Sequence, residues 1–117
     1  DILEEHDFAA IHVEAPDECT HNGDLEGKLE AIGWLDTRLI KPLDEAMRRR
    51  GWDYRLLFLS DHKTLTSTRG HDGDPVPFMI YDSRVDTGAG LPYTEKSGEK
   101  GAYVNSGVAL MSILFEK

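Results

Sequence analysis

The strongest constraint on this chain is a change of hydrophobic period part-way along it. Leu25, Leu29, Ile32, Leu35, Leu39, Leu43 and Met47 recur at steps of three and four, which draws one apolar stripe along a helix. Asp24 stands where an N-cap belongs. Arg48, Arg49 and Arg50 sit where helix carbonyls favour cations, and Gly51 is a ready C′ residue. Pro42 has no amide hydrogen and falls late in the stripe, so it kinks or breaks the helix there. The flanking apolar runs are too short for helices. Phe8–Val13 (FAAIHV, closed by Pro16), Tyr54–Ser60 (YRLLFLS) and Pro77–Tyr81 (PFMIY) each predict a buried strand. Gly107–Glu116 predicts a short helix, and Asp82–Ala102, with four glycines, an irregular surface stretch. Strand, helix and strand with long gaps predict right-handed βαβ connection. The expected fold is α/β, a doubly wound and mostly parallel sheet, present only in part because few strands and helices are available.

Composition narrows the function. A length of 117 residues fits one domain, and 39% hydrophobic with 30% charged residues suits a folded one. The formal charge of −9 argues against a surface that grips nucleic-acid phosphates or an acidic membrane. No apolar run approaches the roughly 20 residues of a membrane helix. The first residues have no signal-peptide character. A single cysteine, Cys19, excludes an internal disulfide and a cysteine-built zinc site, and points to the cytoplasm. Cys19 itself reads as a small apolar side chain with no partner base.

The residues that carry chemistry cluster after predicted strands, where open α/β sheets bind ligands. Asp17 and His21 follow the first strand, and their i, i+4 spacing shares one face if the segment is helical. Asp61 and His62 follow the second, and His71 precedes the third. Five hard-to-borderline ligands from three loops suit divalent metals such as Mn²⁺, Zn²⁺ or Mg²⁺, and paired metals can clamp a transferring phosphoryl group. Each piece has a plainer reading: a surface Asp–His pair, an Asp-led turn, a solvated loop histidine. Arg69 either meets a substrate phosphate or pairs with Asp72 or Asp74. His12 belongs to the core or behind the ligands, and His6 is exposed. No Walker-type phosphate loop or G-x-G-x-x-G is present.

Three stretches, HVEAPDECTHNGDLEGKLEAI, LFLSDHKTLTSTRGHDGDPVPFMIY and GVALMSILF, resemble the C-terminal part of a cofactor-independent phosphoglycerate mutase. The likeness is to the archaeal-type branch, a division of the alkaline phosphatase superfamily whose bacterial members are also labelled proposed homoserine kinases. It implies that residues 1–117 are the C-terminal segment of a metal-dependent catalytic domain. By that resemblance Asp17, His21 and His71 bind one metal, and Asp61 and His62 the second. The nucleophilic Ser and a remaining ligand Asp lie in an N-terminal segment outside this chain. The implied activity is interconversion of 3- and 2-phosphoglycerate through a phosphoserine, with two divalent ions, Mn²⁺ first and Zn²⁺, Mg²⁺ or Co²⁺ as alternatives. The implied partners are a small phosphorylated substrate and the missing segment, and the chain alone is expected to be inactive. Thr20 stands where the family usually has Gly, and Lys63 where Pro often follows the Asp–His pair. The competing readings are a homoserine kinase-like phosphotransferase of the same superfamily, and a non-catalytic module whose Asp and His residues only form polar turns.

Overall fold

The structure, a computed structural model, describes residues 2–85 and 90–116. Its helical part follows the apolar stripe. A short α1 (Ile2–Glu5) precedes α2 (Ala15–His21), which Pro16 opens from its first turn. Asp24 caps α3 (Leu25–Trp34) by accepting the Gly27 N–H at 2.9 Å. The stripe then runs unbroken into a π-helical turn (Leu35–Ile40) and on into α4 (Lys41–Arg49). Pro42 explains the wide turn. It cannot donate to the carbonyl four residues back, and its ring crowds that carbonyl. Lys41 instead donates to Asp36, five residues back, so the helix widens around the proline rather than breaking. Gly51, at φ +68°, closes α4 as expected.

The strands are β1 (Arg55–Leu59), β2 (Lys63–Thr64), β3 (His71–Asp72) and β4 (Phe78–Asp82). β1 pairs antiparallel with β4, from Arg55 opposite Asp82 to Leu59 opposite Phe78. β2 and β3 form a second antiparallel pair, with Lys63 opposite Asp72 and Thr64 opposite His71. Two short helices, α5 (Glu95–Gly98) and α6 (Gly107–Leu114), complete the fold, each capped by a hydroxyl, Thr94 and Ser106.

The mixed helix-and-strand character matches expectation, but the parallel sheet does not form among the described residues. A parallel return from β1 needs a crossover, usually a helix. Residues 60–77 contain none; they fold back on themselves as β2 and β3 and deliver β4 antiparallel to β1. The expected strand at Phe8–Val13 is also absent. A strand must pair its N–H and C=O groups, and no described segment lies in register beside this one; Ile11 is 60% exposed. His12 is correspondingly not in the core: it is exposed, 3.5 Å from Glu14. The irregular stretch expected over Asp82–Ala102 contains α5, and its residues 86–89 lie outside the described residues.

The core is thin. Ala31, Met47, Tyr54 and Leu110 are its buried apolar side chains among the described residues. The α4 helix is tied to the sheet by polar contacts. Arg48 donates to Asp44 at 3.0 Å and to the Tyr81 hydroxyl at 2.7 Å, while the Tyr54 hydroxyl donates to Asp44. At the same end of the sheet, Arg55 donates to the last carbonyls of α6, including Leu114 at 3.1 Å, a cation where the helix terminus favours one. Leu25, Leu29, Ile32 and Trp34 remain exposed along α3. No helix among the described residues is long and apolar enough to cross a membrane.

Candidate metal centre

Asp17 and His21 come from α2, whose helical form puts the i, i+4 pair on one face. His62 lies just after β1, and His71 is the first residue of β3. The β2–β3 hairpin packs its open face on α2 and brings all four side chains together. Asp17 Oδ1 lies 3.1 Å from His21 Nε2 and 3.1 Å from His71 Nε2, and the two Nε2 atoms are 3.1 Å apart. Three donors on one cation, each about 2.1 Å from it, stand about 3.0–3.4 Å from one another. The triangle therefore fits a divalent metal. His62 stacks on His71 with ring centroids 3.7 Å apart, and Asp17, His62 and His71 each offer an atom within 4.8 Å of the others.

Hydrogen bonds behind the rings fix which nitrogen is bare. His21 Nδ1 lies 2.5 Å from the Arg69 carbonyl oxygen, which can only accept. Nδ1 therefore carries the hydrogen, and Nε2 turns its lone pair into the triangle. His62 Nδ1 lies 3.3 Å from the Lys63 carbonyl. A carboxylate and imidazole lone pairs that converge this closely repel until a cation or a shared proton separates them. Asp17 also accepts from the Thr64 hydroxyl at 2.6 Å. That bond, aided by His21 and His71 against partial desolvation, holds the Asp17 carboxyl below its ordinary value. Asp17 is thus ionised at neutral pH, as a ligand must be.

Asp61 sits at the edge of the cluster. Its Oδ1 accepts the His62 N–H at 3.0 Å, and its Oδ2 lies 3.4 Å from His62 Nε2. The Asp-led turn expected of this dipeptide is thus present. Arg69 does not pair with Asp72 or Asp74 among the described residues. Its backbone is left-handed at φ +60°, and its guanidinium lies over Gly23 rather than on Asp72 or Asp74. Lys63 reaches Asp74 at 4.0 Å and Glu95 at 3.8 Å. Thr20 is the most buried residue described; its hydroxyl donates to the Pro16 carbonyl at 2.7 Å, so the side chain is absorbed within α2.

Sequence reasoning missed Thr64, Lys28 and the Arg69 carbonyl. Thr64 had one legible signal: it lies two residues past His62, so an extended segment puts both on one side. Lys28, which donates to the Thr64 carbonyl at 3.0 Å, and Arg69, which acts through its backbone, had none.

Comparison with known proteins places the chain among metal-dependent enzymes by family. The family model described as the Metalloenzyme superfamily matches residues 1–117. The chain belongs to that superfamily. It is 38% identical, over its whole length, to the probable 2,3-bisphosphoglycerate-independent phosphoglycerate mutase of Geobacter sulfurreducens, covering 30% of that protein. It is 40% identical over 83% of its length to the 2,3-bisphosphoglycerate-independent phosphoglycerate mutase of Methanothrix thermoacetophila, covering 25% of it. The corresponding mutase of Metallosphaera sedula is 32% identical over 97% of the chain, which covers 27% of it. The chain thus spans between a quarter and a third of the length of these curated relatives. No solved structure matches it.

Proposed function

We propose that this chain is the metal-holding segment of a phosphoglycerate mutase that interconverts 3- and 2-phosphoglycerate. The reading rests on one observation, the triangle of Asp17 Oδ1, His21 Nε2 and His71 Nε2 with 3.1 Å edges. The names of the relatives supply the reaction class. Asp17, His21 and His71 hold the first metal; Asp61 and His62 hold the second, completed by ligands from a segment outside this chain. The same outside segment supplies a serine nucleophile and the remaining strands of a doubly wound sheet. Phosphoserine formation divides one difficult transfer into two easier ones. When bound, the metals lower the pKa of the attacking hydroxyl and stabilise charge on the transferring phosphoryl group.

The chain's own residues do the holding. Asp17 brings a full negative charge, kept by Thr64. His21 presents a bare Nε2 because the Arg69 carbonyl occupies its Nδ1–H. Among the candidate divalent ions Mn²⁺ suits the mixed carboxylate–imidazole set. The substrate is a small phosphorylated acid and the setting cytoplasmic.

The test is a mutase assay on the full-length protein with Mn²⁺ and 3-phosphoglycerate, without bisphosphoglycerate, coupled to enolase. Turnover that EDTA abolishes and Mn²⁺ restores is the expected result, with none from the 117-residue chain alone. Absence of turnover in the full-length protein with metal bound overturns the mutase assignment.

A further inference from the structure

We infer that Thr64 is the positioning residue that joins the two candidate metal positions, holding a ligand of each in register through one hydroxyl. The inference rests on the metal-site reading above.

A hydroxyl has one hydrogen to give and lone pairs to accept with. Thr64 Oγ1 lies 2.6 Å from Asp17 Oδ1, an ionised carboxylate that can only accept, so the hydroxyl hydrogen goes there. Thr64 Oγ1 also lies 3.3 Å from His62 Nδ1. With its hydrogen committed to Asp17, the oxygen can only accept from the His62 Nδ1–H, which it shares with the Lys63 carbonyl, 3.3 Å from the same nitrogen. Both bonds therefore run in one direction, from His62 to Thr64 to Asp17. This direction places a donor on Asp17 without neutralising it.

The backbone of Thr64 fixes where that hydroxyl stands. Thr64 is the direct cross-strand partner of His71 in the β2–β3 ladder, and such partners project to the same face. Its carbonyl accepts from Lys28 Nζ at 3.0 Å, which anchors β2 to α3. One residue thus touches Asp17 and His62 by its side chain, faces His71 across the ladder, and is held by the helix behind. Groups behind the ligands of a metal site typically alter affinity 10–100-fold when removed.

The experiment uses the full-length protein, since this chain covers only about a quarter to a third of its relatives. Mn²⁺ binding is followed by electron paramagnetic resonance, and Co²⁺ is used as a probe of ligand geometry through its visible absorption. Thr64→Val keeps the branched shape that suits a strand and removes the hydroxyl; Thr64→Ser keeps the hydroxyl. Thr64→Val is expected to bind Mn²⁺ about 10–100-fold more weakly and to change the Co²⁺ spectrum, with Thr64→Ser restoring both. The metal-free far-ultraviolet circular dichroism of all three proteins is expected to match. Undiminished binding by Thr64→Val, or no rescue by Thr64→Ser, overturns this inference and leaves the metal site standing. A Thr64→Val protein already unfolded without metal overturns it in favour of a structural role. Failure of the unaltered protein to bind either ion overturns the metal-site reading and this inference with it.

Discussion

The imidazole Nδ1 of His21 lies 2.5 Å from the carbonyl oxygen of Arg69, and the Arg69 guanidinium closes back over Gly23, two residues beyond that histidine. Arg69 and Gly23 both have left-handed backbones, at φ +60° and +71°. Glycine adopts this region freely, whereas Arg69 is strained there and persists only where the surroundings hold it. Here the side chain of Arg69 holds the turn after α2, while its carbonyl aims a ligand on α2.

Gly23→Ala tests this coupling. A Cβ there stands 2.4 Å from Arg69 Cζ, so the guanidinium must move, and alanine in this backbone region costs about 1 kcal/mol. Gly51→Ala is the control: its φ is +68° and nothing lies within 4 Å of the added carbon. Both variants are expected to lower the unfolding midpoint by several degrees. Only Gly23→Ala is expected to weaken Mn²⁺ binding, measured by calorimetric titration. Equal affinities for the two would detach Arg69 from the site.

His71→Ala separates chemistry from stability. The His71 side chain is 52% exposed, and truncating an exposed residue usually changes stability by no more than about 0.5 kcal/mol. The unfolding midpoint in EDTA is therefore expected to stay with that of the unaltered chain, while Mn²⁺ no longer raises it. In the full-length protein the same change is expected to abolish mutase turnover. Activity retained at saturating Mn²⁺ would falsify the ligand role.

Periodicity and capping carried the long helix into view, down to Asp24 and Gly51, because those signals are local. Pro42 announced a disturbance; that it becomes a π-helical turn depends on Lys41 reaching Asp36, which spacing alone does not reveal. The antiparallel pairing of β1 with β4 was not legible, because residues 60–77 carry no pattern that distinguishes a crossover from a hairpin. Phe8–Val13 has the composition of a strand, but composition cannot supply a neighbour. Asp17 and His21 were legible as a helical pair. Thr64 and Arg69 were not, since one acts across a ladder and the other through a carbonyl.

Asp82 predicts the acid side of the stability profile. Arg84 donates to it from its backbone and side chain, and Arg55 donates at 2.8 Å. These bonds, Arg84 foremost, hold the carboxyl well below the usual carboxylate range. A depressed folded pKa stabilises the fold above the unfolded value of about 4, and that stabilisation is lost as pH falls below it. Urea unfolding of the unaltered chain and of Asp82→Asn is expected to differ at pH 6 and to converge in acid. A gap that stays constant into acid counts against the ion-pair account.

Tyr54 governs the alkaline side. Its ring is buried and its hydroxyl donates to Asp44, whose other oxygen is taken by Arg48. Burial, and then the Asp44 bond and charge, push the phenol up to about 12. Here the neutral form is the one the fold favours. Its contribution is complete below the unfolded value of about 10 and disappears as pH rises from there through about 12. Tyr54→Phe removes the donor and is expected to cost about 1 kcal/mol at neutral pH, since Arg48 still satisfies the carboxylate. Tyr54→Phe is also expected to remove the latest-titrating phenolate from the ultraviolet difference spectrum of the folded chain. The stability gap between the two chains is expected to narrow between pH 10 and 12. A Tyr54 phenolate forming near pH 10 in the folded chain would show that Tyr54 and Asp44 are not joined.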